Sequence, residues 1–181
     1  MSTIIGGSSP SVTFSDSTTQ TTAFTGSASQ ITSGTLPSAQ LPTGSVLQVV
    51  SSTFQGTQFS NSGVFANTGF SVSITPKSAT SKILVRMAIQ ATSAANGMGF
   101  AIYRNGSVVW NPSTADGSGS YGQYPALYAF SIIEYLDSPA TTSATTYALY
   151  MQSRSGGTSV VNPTAGSNNG GTTVTVMEIA A

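Results

Sequence analysis

Apolar side chains are spread unevenly along the chain, and the change of pattern falls near Gly44. Residues 1–44 are dominated by Ser, Thr, Gly and Pro, with isolated apolar positions at Ile4, Ile5, Val12, Phe14, Phe24, Ile31, Leu36 and Leu41. That spacing is too sparse for a core, because ordering each residue costs on the order of 1–2 kcal/mol of backbone entropy. The segment is expected to be an extended arm whose apolar residues either dock on other chains or lie along a free linker. Docking is preferred, since the prolines of Leu36-Pro37-Ser38-Ala39-Gln40-Leu41-Pro42 favour extended or polyproline geometry and leave two leucines as anchors.

From residue 45 to 181 the pattern is that of strands. Val46–Val50 is short and β-branched, and Phe70-Ser71-Val72-Ser73-Ile74 alternates strictly, as a strand with one buried face does. Ile83–Ala91 is nearly continuous in apolar residues and reads as a central strand covered on both faces. Gly99–Arg104 runs into Asn105-Gly106, a strong hairpin signal, and Ser107–Trp110 is the return strand. Further strands are expected at Leu127–Leu136, Thr146–Ser153, Thr158–Asn162 and Thr172–Ile179, the last slipping in phase near Met177. No helical period of useful length occurs. About eight antiparallel strands between turns predict an all-β, jelly-roll-like β-sandwich preceded by the arm.

Composition changes this picture in one direction. Charged residues make up 6% of the chain, against ~25% in ordinary soluble domains. The surface is therefore built from hydroxyls and amides, and a chain with zero net charge has little repulsion to keep copies apart. Association is expected. Five basic and five acidic residues leave no excess for nucleic acid, and no apolar run is long enough to span a membrane as a helix. The Met1–Ile5 start lacks the basic region and long apolar stretch of a secretory signal, so synthesis and assembly in the cytoplasm are expected.

Without Cys or His there is no disulfide, no thiolate nucleophile and no imidazole base or ligand. No catalytic, cofactor-binding or metal-binding set is assigned. Asp16, Asp116, Glu134, Asp137 and Glu178 are the whole carboxylate inventory, and Glu134 and Asp137, three apart on a strand, point to opposite faces. An acid pair assembled across subunits is the remaining enzymatic reading, that of a glycan-degrading enzyme. The long Asn111–Pro125 loop, with Trp110, Tyr121 and Tyr124, either offers aromatic faces to a cell-surface glycan or packs these rings within or between subunits; packing is preferred. Arg86, Glu134 and Glu178 lie within strands and are read either as ion-pair partners at a subunit interface or as single solvated residues on outer sheet faces.

Four segments resemble a known family in the order in which they occur. Leu41-Pro42-Thr43-Gly44-Ser45-Val46-Leu47-Gln48-Val49-Val50 is similar to the opening of the C-terminal domain of many tailed-bacteriophage fibre and virion structural proteins. Val72–Val85, Leu136–Tyr147 and Thr175–Ala180 resemble the later motifs of the same domain. The resemblance covers residues 35–181. It implies a homotrimeric β-sandwich head domain, residues 45–181, on a virion appendage, with residues 1–44 as the attachment arm to other virion proteins. It carries no catalytic residue. An arm of this length suits a short tail or neck fibre, a fibre tip that adsorbs to the host surface, or a trimeric capsid decoration protein, and not a long shaft.

Overall fold

The computed structural model describes residues 12–13, 15, 17, 19–20, 40–60, 63–93, 97–111, 129–153, 157–163 and 171–181. The chain divides into two units, Met1–Pro37 and Ser38–Ala181. In the first, β1 (Val12–Thr13) pairs antiparallel with β2 (Thr19–Gln20), a local pairing that the arm's sparse apolar pattern does not announce.

The second unit is all β. Its strands are β3 (Val46–Phe54), β4 (Gln58–Ser60), β5 (Ala66–Ile74), β6 (Lys82–Ser93), β7 (Met98–Arg104), β8 (Ser107–Trp110), β9 (Ala129–Asp137), β10 (Thr145–Ser153), β11 (Ser159–Val161) and β12 (Thr172–Ile179). No α-helix occurs among the described residues. The pairing is that of one long hairpin bent at Asn105-Gly106. Moving out from that turn, β7 pairs with β8, β6 with β9, β5 with β10, β4 with β11 and β3 with β12, all antiparallel. Both turn residues have positive φ, 49° and 83°, as a two-residue hairpin of the primed type requires. The ribbon then rolls up: β12 and β11 add to one edge of β6, and β10 adds to β7. The product is a jelly-roll sandwich, with the sheet β5-β10-β7-β8 facing the sheet β3-β12-β6-β9, which β4 and β11 extend.

The core lies between the two sheets and follows from strand parity. Phe70, Val72 and Ile74 of β5, Met98, Phe100 and Ile102 of β7, and Tyr147, Leu149 and Met151 of β10 meet Ile83, Val85, Met87 and Ile89 of β6 and Val174 and Val176 of β12. Burying each such aliphatic or aromatic side chain stabilises by about 1.5–3 kcal/mol. Phe54 stacks on Phe70 at 5.0 Å between ring centroids, tying β3 to the opposite sheet. β6 departs from the sequence expectation. Its burial alternates residue by residue, so only one face is in the core; Leu84, Ala88 and Gln90 on the other are partly exposed and Arg86 is open.

β11 and β12 lie end to end along β6, and β4 continues β3 in the same way, so both strand lines are interrupted side by side. Asn162 stitches the gap. Fully buried and at φ 53°, it donates from Nδ2 to the carbonyls of Phe54 (2.6 Å) and Gly56 (3.2 Å) and accepts from Thr172 Oγ1 at 2.7 Å. Its own N–H donates to Gln90 O and its carbonyl accepts from Thr57 Oγ1. An asparagine tolerates this left-handed backbone where most residues do not. Asn162→Ala is expected to lower stability by about 2–4 kcal/mol, through orphaned buried polar groups and backbone strain, read as a lower urea midpoint at unchanged slope.

Candidate functional site

The described carboxylates sort into two buried clusters and one exposed pair. Asp137 ends β9 and points inward, only 4% exposed, while Glu134 points out, as their spacing requires. Asp137 Oδ2 accepts from Tyr147 Oη at 2.7 Å and from Arg104 Nη1 at 2.8 Å. β7 and β10 of one sheet are thereby fastened to β9 of the other. Burial first, then the hydrogen bond to Asp137 and its negative charge, push the Tyr147 phenol far above its ordinary range. The phenol stays protonated and serves as a donor, not as a nucleophile or base.

Glu178 occupies an inward position of β12 and is fully buried. Neither reading made for it in the sequence, interface partner or solvated outer charge, describes this location. The alternation of β12 does not slip at Met177; it runs through Glu178, and the register shift follows, at Ile179. Oε2 accepts from Gln48 Nε2 at 2.6 Å, and Oε1 from the backbone N–H groups of Lys77 (2.7 Å) and Ser78 (3.3 Å). The second amide proton of Gln48 reaches Thr75 O at 2.7 Å. Burial works to raise the pKa of Glu178. The Ser81 hydroxyl (which meets no partner at full hydrogen-bonding geometry), the Gln48 amide and the two backbone donors outweigh that and hold it below its ordinary value of 4.5. A hollow of about 350 Å³ opens beside this cluster, lined by Leu41, Leu47, Lys77, Thr80, Ser81 and Ala180 among others. Leu41, read as an arm anchor, is thus part of the second unit.

Arg86 and Glu134 meet across β6 and β9 at 3.1 Å, with side chains 47% and 54% exposed. Trp110 lies opposite Ile102 and packs half-buried against the core. Tyr121, Tyr124, Asp16, Asp116 and the arm residues Ile4, Ile5, Phe14, Phe24 and Leu36 lie outside the described residues, and Val12 is described only as part of β1. The sequence missed the structural use of Gln48, Tyr147 and Asn162. A glutamate at an inward position of an otherwise regular β12 was the one available signal.

No protein-family model matches the chain, and no curated protein does. Among solved structures it is similar to a chain of the Gx strain of infectious bursal disease virus (TM-score 0.38, 15% identity, 74% of this chain and 36% of that one). A VP2 subviral particle of the same virus gives a TM-score of 0.40 at 17% identity, covering 74% of this chain and 37% of the other. This chain spans about a third of the length of these chains. Likeness at this level carries no functional argument.

Because the folded pKa of Glu178 is depressed, its contribution to stability is complete above the ordinary value of 4.5 and is lost as pH falls through the lower, folded value. Melting temperatures of the wild-type chain are therefore expected to fall below pH 4.5. Glu178→Gln flattens that acid limb and costs about 1.5–3 kcal/mol at neutral pH, since charge-assisted bonds are lost. Circular dichroism melts across pH check both.

Proposed function

We propose that this chain is a structural subunit of a virus particle: a homotrimeric short tail or neck fibre of a tailed bacteriophage. Its N-terminal arm attaches to other virion proteins, and its β-sandwich faces outward to adsorb to the host surface. The observation that carries this reading is where the family-like segments meet. Gln48 from the first segment and Lys77 and Ser78 from the second converge on Glu178 in the last. Asp137 and Tyr147 of the third are bonded to each other. The residues that carry the resemblance are thus engaged in closing the jelly roll, which is what a shared structural domain requires. Each carboxylate in these clusters already holds its own strands together, and neither cluster offers the free acid and base of a glycosidase.

A structural appendage also accounts for the surface. Hydroxyls and amides in place of charges suit a protein that works as an assembly, where weak outward contacts gain from many copies. Removing residues 1–26 is expected to abolish incorporation into particles while leaving a folded sandwich, measured by the protein content of purified particles. Incorporation of the truncated chain counts against arm attachment. Particles lacking the whole chain are expected to lose adsorption to cells; loss of head stability with normal adsorption indicates a trimeric capsid decoration protein.

A further inference from the structure

The face of the β3-β12-β6-β9 sheet turned away from the core is divided in its chemistry. Over β3 and β12 it is a hydroxyl surface, with Ser51 Oγ bonded to Thr175 Oγ1 at 2.8 Å and Thr53 Oγ1 to Thr173 Oγ1 at 3.2 Å. Over β6 and β9 it is apolar. Leu136 lies beside Leu84, Ile132 beside Ala88 and Phe130 beside Gln90, with Phe130 64%, Ile132 49% and Leu136 48% exposed. The register carries one apolar row across all four strands, from Leu136 through Leu84 and Met177 to Val49. Two halves of one sheet face the same way, yet apart from Met177 and Val49 in that row the β3–β12 half carries hydroxyls where the β6–β9 half carries mainly apolar side chains.

Among the described residues β9 is also an edge strand, paired with β6 through nine residues in unbroken register. It contains no proline, bulge or lysine, the usual devices that blunt an exposed edge. In the middle of the patch stands the Arg86–Glu134 pair. An exposed pair of this kind adds little to the stability of a single chain.

We infer that the outer face over β6 and β9 is the surface through which copies of this chain associate, with Phe130, Ile132 and Leu136 as its anchors. The inference rests on the self-association in the proposed function and adds the face that mediates it. The charges select the occupant. A patch with one cation and one anion side by side is complementary to a reoriented copy of itself, Arg86 of one copy meeting Glu134 of another. A polyanion or a uniformly charged partner meets one wrong sign. Over β6 and β9 the face measures on the order of 300 Å² in projection, two strands about 4.8 Å apart and nine residues long. It supplies the apolar centre of a contact that, to be stable, buries roughly 800 Å² of accessible surface on each partner. Covering this face also gives the apolar run of β6 the second dry side that its sequence implies.

The test is co-purification of an untagged full-length copy with a tagged full-length copy expressed in the same cell. The wild-type pair is expected to co-purify. The triple change Phe130→Thr, Ile132→Thr and Leu136→Thr gives the patch the chemistry of the hydroxyl half, and is expected to cut retention roughly tenfold or more while circular dichroism shows a folded sandwich. Val108→Thr, an exposed apolar position on the other sheet, leaves retention unchanged. Arg86→Glu and Glu134→Arg each weaken pairing with their own kind, whereas a chain carrying both changes again retains its own kind but not the wild type. Retention unaffected by the triple change, or equally lost with Val108→Thr, overturns this face and leaves self-association standing. Failure of the wild-type pair to co-purify overturns both. If the triple variant does not fold, the charge reversals decide: failure of the doubly changed chain to retain its own kind overturns the face.

Discussion

The contact between the inner face of β6 and the opposite sheet is the interaction on which the rest depends. β6 is the one strand that pairs with β9 on one edge and with β12 and β11 on the other, and its inward Ile83, Val85, Met87 and Ile89 form the floor of the core. No disulfide is available to substitute for it, because the chain has no cysteine. Removing apolar volume there costs about 2–5 kcal/mol per large side chain, a substantial part of the total stability of a domain. The nested pairing adds a constraint of order. β3 and β12 are far apart in sequence, so the rung they form carries a large loop-closure cost. A fold so rich in non-local pairing is expected to form slowly.

Buried polar groups secure what the apolar core alone leaves loose. Asp137 ties the two sheets together through Arg104 and Tyr147, Glu178 fastens the ends of β3 and β12 to the β5–β6 connection, and Asn162 closes the gap where two strands break side by side. Each is costly if left unsatisfied and specific when satisfied. Of the three acids among the described residues of so charge-poor a chain, two lie inside, where they determine register and connection.

Much of the fold was legible because one-sided burial writes itself into alternation. Phe70, Val72 and Ile74 face inward as their spacing requires, and Asn105-Gly106 turns the hairpin on which the ribbon is folded. The polar interior was not legible. Period-two reasoning assigns a glutamate to the wet side, so Glu178 appeared to force a slip in β12 that does not occur. β4 was invisible because its three residues follow a break that only Asn162, over a hundred residues away in sequence, makes tolerable. The continuous apolar run of β6 promised cover on both faces, and a single chain supplies one. The proposed association accounts for that mismatch, since copies meeting over β6 and β9 supply the second covered side.

Self-association is the central claim, and the mass of the intact chain in solution tests it most directly. Sedimentation equilibrium over a range of concentrations is expected to return a mass near three times 18.3 kDa. A mass of 18.3 kDa at every concentration contradicts it, and would mean that the apolar face over β6 and β9 stays open to water.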